Sequence, residues 1–264
     1  MPDTNHAIET DVTDSTAELY QWLLFIGDTN LILSHRVSEW CGHAPALEED
    51  IALANTALDL LGQAQLWLEL AGQFDEQKRT ADQLAFLRDA NAFRNALLVE
   101  LPNNDFGCTL MRQFLFDAWH FPVLQALVES SDERIAAIAE KASREVAYHL
   151  ERSSDLVIRL GDGSDTSHQY MQAALDYLWC YTGELCAEQK TDSVLIADGI
   201  VHNPVLVAEA VHHTVSDTLS MATLRVPESE FMQTGGRAGV HTEHLGFLLA
   251  EMQFLQRTYP GSTW

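Results

Sequence analysis

The chain has 264 residues, with 15 Lys plus Arg against 39 Asp plus Glu, so its formal net charge at pH 7 is −24. A field of that sign repels nucleic-acid phosphates and anionic membrane surfaces, which argues against both as partners. The sequence has no apolar run near the ~18 residues of a membrane span and no basic, apolar leader, and its four cysteines are scattered, so we expect a cytoplasmic protein with reduced thiols.

Helical periodicity dominates the chain, with apolar residues recurring at steps of three and four. Four long helices are predicted, at about residues 19–40, 47–70, 106–128 and 133–160. Shorter helices are predicted near residues 81–89, 169–181, 204–224 and 241–257, and "QTGGRAG" is expected to be a flexible loop. Pro122 lies inside the third long helix and predicts a kink or local bulge there. Because no β-alternation persists, the pattern predicts an all-α, four-helix bundle with additional C-terminal helices.

The second long helix carries two apolar stripes. One consists of Leu47, Ile51, Leu58, Leu61 and Leu68, and the other of Leu53, Ala57, Leu60, Ala64 and Trp67. A helix that is apolar on two sides is predicted to lie between neighbours in a bundle.

Several polar residues fall on the predicted inward faces. Glu145, His149 and Arg152 share a stripe of the fourth helix with isoleucines, Asp117 interrupts the apolar face of the third helix, and Asn30 does so on the first. A buried carboxylate needs partners, because an unpaired one costs several kcal/mol or binds a proton. A bundle can satisfy it with a di-metal site or with a network of Asp, Glu, His and Arg.

The di-metal interpretation meets an obstacle on two helices. Such a site takes Glu-x-x-His from each of two helices, but the second helix has no His and offers Leu60 and Gln63 at the candidate turn. The fourth helix has Val146 three residues before His149, and Arg152 one turn beyond would repel a divalent ion. The residues therefore favour a structural polar network of Asn30, Asp117, Glu145, His149 and Arg152, with a residual metal site as the less favoured alternative.

Three carboxylate–histidine spacings keep a second hypothesis open, that of an active di-metal carboxylate oxidase or iron-binding protein. They are Glu209/His212, Asp117/His120 and Glu145/His149. The segment "HTEHLG" superficially resembles a zinc motif but lacks a cysteine or fourth ligand. Nucleophile and nucleotide motifs such as G-x-S-x-G and the P-loop are absent from the sequence.

Four long segments resemble one protein family: "LILSHRVSEWCGHAPALEEDIALANTALDLLGQAQ", "QFLFDAWH", "REVAYHLERSSDLVIRLGDG" and "GVHTEHLGFLLAEMQFLQR". They are similar to the PaaC subunits of the bacterial phenylacetyl-CoA 1,2-epoxidases, from about Thr16 to the C-terminus. The resemblance implies one ferritin-like domain over residues 16–264, after an acidic extension, residues 1–15, that we expect to be disordered.

The same resemblance implies a multicomponent oxygenase that epoxidises the ring of phenylacetyl-CoA with dioxygen and electrons from a separate reductase. It implies that the di-iron centre belongs to the homologous catalytic A subunit, that this chain carries no cofactor, and that its partners are the catalytic A subunit with the other epoxidase subunits. A homodimer is possible when the chain is alone. Carried over position by position, the degenerate ligand sites are Leu60, Gln63, Asp117, Val146 and His149.

Overall fold

The computed structural model describes residues 4–189 and 192–262, with the side chains described from residue 15 onward. This part of the chain is all-α, and no strand occurs among the described residues. The helices are α1 (Thr4–Ser38), α2 (Leu47–Phe74), α3 (Ala81–Phe86), α4 (Phe106–Leu127), α5 (Glu133–Gly161), α6 (Asp165–Leu178), α7 (Ser193–Ala197), α8 (Pro204–Met221), α9 (Glu243–Met252) and α10 (Phe254–Thr258). The predicted all-α class is confirmed.

The ends of several helices are fixed by short polar side chains that cap free backbone N–H groups. The Asp105 carboxylate accepts from the Cys108 amide (2.8 Å) at the start of α4, and Asp132 accepts from the Arg134 amide (2.9 Å) at the start of α5. Thr80 and Gln83 form a reciprocal capping box at the start of α3. Each cap of this kind typically stabilises a helix by about 1 kcal/mol.

The long helices α1, α2, α4 and α5 form the bundle. α1 packs chiefly against α2 and α4 chiefly against α5, while edge-to-face rings of Phe25 and Trp119 (5.8 Å) join α1 to α4. α4 is buried along most of its length because α6 and α8 cover its outer side. α4 is therefore the central helix, and its polar side chains have little access to water.

The second helix differs from its prediction in one respect. The stripe with Leu60 and Trp67 is buried as predicted, but Leu47, Ile51, Leu58 and Leu61 are 72%, 53%, 65% and 44% exposed. The prediction that both stripes meet neighbours is wrong within this chain, because periodicity identifies an apolar face without saying what covers it.

The segment "QTGGRAG" is also not the free loop that its glycines predicted. The Glu184 carboxylate accepts from the amides of Gly235 and Gly236 (2.8 Å each), and Arg237 forms an ion pair with Asp192 at 2.7 Å. Gly236 is needed because a Cβ there would lie 2.1 Å from the Asn95 carbonyl oxygen.

Two further sequence expectations meet the described structure. α4 continues as one helix through Pro122. The disorder expected for residues 1–15 stays a prediction: residues 1–3 lie outside the described part, and of residues 4–14 only the backbone is described, as the start of α1. In the described part of the chain, none of the helices combines the length and apolarity that crossing a membrane requires.

Candidate functional site

Asp117 lies at the centre of the bundle, fully buried on α4. Its Oδ1 accepts from the Gln113 side-chain amide (2.7 Å) and its Oδ2 from the Ser153 hydroxyl (2.8 Å). Burial raises the pKa of Asp117 to about 6, although the nearby His149, these two hydrogen bonds and Arg152 act in the opposite direction. Both carboxylate oxygens are thus occupied by neutral donors on α4 and α5.

His120, one turn beyond Asp117, is fully buried and lies between aromatic rings. Its ring stacks against Trp119 (5.7 Å) and contacts Phe116 at a centroid distance of 4.8 Å. Neither ring nitrogen has a hydrogen-bond partner among the described residues. Burial, with a contribution from His149, lowers the pKa of His120 to about 3, so the ring is neutral at physiological pH.

Three side chains of α5 reach α2 and form a seam between the two helices. His149 Nε2 contacts Asp59 Oδ2 at 3.0 Å, and the Gln63 amide donates to Glu145 Oε2 at 2.9 Å. The third contact is an ion pair between Arg152 and Glu49. The seam extends from the buried interior, where His149 lies, to the solvent-exposed side of α2 at Asp59.

The predicted single network is therefore arranged differently from the prediction. Arg152 was placed in one network with Glu145 and Asp117, but its ion-pair partner is Glu49. Asn30 is buried on α1, and its side-chain amide donates to the Ile26 carbonyl of its own helix (2.8 Å) rather than to the residues of α4 and α5.

Sequence reasoning missed Gln113, Ser153, Asp59 and Glu49, which supply the partners. Gln113 and Asp117 are four residues apart on α4, a spacing that places them on one face, so that partner could have been identified. Asp59 and Glu49 are 90 and 103 residues from their partners in sequence, and no local signal indicates such pairs.

The residues of the bundle interior do not fit a di-iron centre. Leu60 and Val146 are fully buried at the two positions that the resemblance equates with Glu ligands of a di-metal site, and Gln63 is buried at the position that it equates with a His ligand. Across the described residues, no three or more His, Cys, Asp or Glu side chains are grouped so that they could hold a metal ion. The oxygens of Asp117 already serve as acceptors for Gln113 and Ser153.

The three carboxylate–histidine pairs of the second hypothesis do not form one cluster. Asp117/His120 and Glu145/His149 lie on α4 and α5, where His149 is close enough to Asp117 and His120 to affect the pKa of each, whereas the third pair lies elsewhere. Glu209 and His212 lie on α8, on its solvent side and outside the bundle interior. His241 of "HTEHLG" contacts the buried Glu100 carboxylate at 2.5 Å and the Phe93 carbonyl at 3.1 Å, which gives it a role in tertiary packing.

Comparisons with known proteins agree with the resemblance seen in the sequence. A family model described as "Phenylacetic acid catabolic protein" matches residues 4–264. The chain is similar to the C subunit of the 1,2-phenylacetyl-CoA epoxidase of Escherichia coli (strain K12). The two are 48% identical over 251 residues, which cover 94% of this chain and 99% of that protein.

Proposed function

The chain belongs to the phenylacetic acid catabolic protein family, and from that premise we propose that it is a non-catalytic subunit of a cytoplasmic, multicomponent phenylacetyl-CoA 1,2-epoxidase. It pairs through its helical bundle with the di-iron catalytic A subunit of that enzyme and stabilises it. The di-iron centre, and with it the oxygen chemistry, belongs to that catalytic partner.

One observation carries this proposal: the carboxylate at the centre of the bundle is bonded to residues of this chain, and apolar side chains occupy neighbouring interior positions. Asp117 is bonded to Gln113 and Ser153, and apolar Leu60 and Val146 fill positions that ligands would need. A buried carboxylate with both oxygens hydrogen-bonded to neutral groups is typical of a structural core. This bonding of Asp117 supports a structural role for the chain, in which it gives the complex rigidity and does not carry out redox chemistry.

The exposed stripe of α2, formed by Leu47, Ile51, Leu58 and Leu61, supports the pairing. It runs along one side of the helix from residue 47 to residue 61, about 21 Å at a rise of about 1.5 Å per residue. Contiguous exposed apolar surface of this kind marks protein–protein interfaces in soluble proteins. The rest of the chain is strongly acidic, so a partner with a basic rim around an apolar centre would fit it best.

The first test measures iron in the separate chain and in the complex. After expression in iron-replete medium, elemental analysis of the isolated chain is expected to give well under one iron per chain, while the co-purified complex contains iron. Two irons bound to the isolated chain would overturn the non-catalytic role and restore the di-metal oxidase hypothesis.

The second test addresses the pairing through the α2 stripe. Co-expression with the catalytic homologue is expected to give one co-eluting peak, which Leu58→Glu combined with Leu61→Glu should split into two. Leu206→Glu is the matched control, because Leu206 is an equally exposed leucine on α8 (67%) away from the stripe. Co-elution of the double variant would contradict the role of this face, and light scattering of the chain alone reports whether the stripe pairs two copies when the partner is absent.

A further inference from the structure

A cavity of about 260 Å³ lies between α4, α8 and the turns that follow α6. Its apolar wall is formed mainly by Leu115, Trp179, Leu185, Val211, Val215 and Val226. Leu115, Leu185 and Val215 are buried and form its floor, while Trp179 and Val211 are partly buried and form its sides. The cavity is therefore a recess with an apolar base rather than a shallow surface depression.

This recess is separate from the bundle interior. Leu115 and Asp117 are two residues apart on α4, so their side chains lie about 200° apart around the helix axis. Asp117 faces α5, to whose Ser153 it is bonded, and Leu115 faces the recess under α8. A ligand in the recess would thus be shielded from the polar interior by the body of α4.

The described lining of the recess has no charged side chain and few groups that need a hydrogen-bond partner. None of its described lining residues is Lys, Arg, Asp or Glu. Burial raises the pKa of the Cys186 thiol to about 11, so it remains neutral, and the Thr182 hydroxyl already donates to the Trp179 carbonyl at 2.8 Å. A neutral thiol packs like a small apolar side chain.

Polar groups are confined to the rim of the recess. His212 and Ser216 lie one turn apart on the exposed side of α8 and both border the cavity. An imidazole and a hydroxyl can each donate or accept a hydrogen bond. The recess thus offers an apolar base beneath two adaptable hydrogen-bonding groups.

Its size indicates what could occupy it. Protein interiors are packed almost without voids, and an apolar cavity of about 150 Å³ is known to bind benzene. The recess is roughly 1.7 times that volume, enough for one aromatic ring with a short substituent. We propose that it is a binding site for a small uncharged aromatic molecule, whose ring contacts Trp179 and the valines and whose neutral polar substituent bonds to His212 or Ser216.

This proposal does not rest on the role of the chain in an epoxidase. An anionic ligand is disfavoured because desolvating a carboxylate without a cation costs several kcal/mol, and because the chain carries a net charge of −24. The site should therefore distinguish an amide from the carboxylate of the same shape.

The test uses benzamide and benzoate as matched probes on the full chain. Titration followed by methyl NMR of labelled valines is expected to show saturable shifts of Val211 and Val215 with benzamide. Benzoate should bind at least tenfold more weakly. Equal binding of the two probes, or no saturation with benzamide up to its solubility limit, would overturn the proposal.

Substitutions that fill the recess with a larger side chain provide a second test of the proposed ligand site. Ala208 lines the cavity, whereas Ala210 is exposed on the other side of α8, so Ala208→Leu and Ala210→Leu form a matched pair. Benzamide affinity should fall at least tenfold in Ala208→Leu and stay unchanged in Ala210→Leu. Should Ala208→Leu fail to fold by circular dichroism, Val211→Phe fills the recess from its partly exposed side and is expected to give the same loss.

A side chain of another protein is the competing occupant. If benzamide fails to bind the native chain but Ala208→Leu weakens co-elution with the catalytic homologue, the recess is a protein-docking pocket and the ligand proposal is wrong. Unchanged benzamide binding in both filled variants would also contradict it, because the probe would then lie elsewhere.

Discussion

At the scale of single residues, the bundle interior holds two groups with opposite pH responses. Asp117 has a raised pKa and His120 a lowered one, in both cases chiefly because of burial. Folding therefore favours a protonated Asp117 and a neutral His120. Between about pH 4 and 6 their contributions to the pH dependence of stability oppose each other, because the folded state binds more protons at Asp117 and the unfolded state binds more protons at His120.

Asp117→Asn should reveal the first contribution. The folded state binds more protons than the unfolded state between the ordinary pKa of 3.8 and about 6, so native stability falls as pH rises through that window. The variant removes this loss, and the unbonded Gln113 Oε1 can accept from the new amide after a flip. The free energy of unfolding of the variant minus that of the native protein should therefore be about 2–3 kcal/mol larger at pH 7 than at pH 3.5.

Urea unfolding of both proteins across this pH range measures the difference. Asp155→Asn is the control, because Asp155 is an exposed carboxylate on α5 (62%). If the difference curve for Asp117→Asn is flat, the carboxyl is not titrating in the buried site.

His120→Leu should reveal the opposite contribution. The unfolded state binds a proton below the ordinary pKa of 6.5 while the folded state does not until about 3, so native stability falls as pH decreases through that window. Removing the ring should leave stability at pH 7 within about 1 kcal/mol, because two unpaired buried nitrogens are replaced by apolar atoms. The free energy of unfolding of the variant minus that of the native protein should be about 3 kcal/mol larger at pH 4 than at pH 7. Chemical denaturation at the two pH values measures this difference. An unchanged acid limb would show that His120 is already protonated in the folded state.

At the scale of elements, the helices were largely predictable and their partners were not. The 3.6-residue period predicted the ends of α2, α4 and α5 to within a few residues, because the apolar residues that bury one face of a helix recur at short spacings along the sequence. It also identified the face of α4 that buries Asp117. Which carboxylate meets Arg152, and whether Leu58 is covered, depend on packing between distant segments, and no local pattern encodes that.

Glu184 illustrates a tertiary connection that the sequence hides. Its buried carboxylate joins three segments by accepting from the amides of Leu97, Gly235 and Gly236, each at 2.8 Å. Those donors are 87, 51 and 52 residues away, so the residue has no recognisable motif. The glycines that suggested a mobile loop instead allow the close backbone approach that this carboxylate needs.

Glu184→Ala is expected to destabilise the chain by at least about 3 kcal/mol, because three buried N–H groups lose their acceptor. Glu184→Gln keeps an oxygen for the two glycine amides but opposes the Leu97 N–H with another donor, so about 1–2 kcal/mol should be lost. Glu188→Ala is the control, since Glu188 is a more exposed carboxylate four residues away. Thermal unfolding ranks the three, and equal losses for Ala at positions 184 and 188 would contradict the proposed clamp.

At the scale of the whole molecule, the dominant physical property is the excess of acidic groups. Most of the arginines already have a carboxylate partner, including Arg88 with the buried Asp28 and Arg237 with Asp192. The remaining carboxylates of a chain with net charge −24 therefore face each other across the surface with few counter-ions from the protein. Self-repulsion of this kind destabilises the compact state while it keeps the free protein in solution.

The isolated chain should accordingly be stabilised by salt. At about 0.1 M ionic strength the Debye length is about 10 Å, so repulsion between surface carboxylates is screened while the short ion pairs lose less. Raising NaCl from about 20 to about 300 mM at pH 7 should increase stability by about 1–2 kcal/mol, or the unfolding temperature by about 2–6 °C. Choline chloride at equal ionic strength should give the same increase, because screening does not depend on the identity of the cation. A fall in unfolding temperature would mean that attractive pairs outweigh the repulsion, and a larger effect of one cation would indicate specific binding instead.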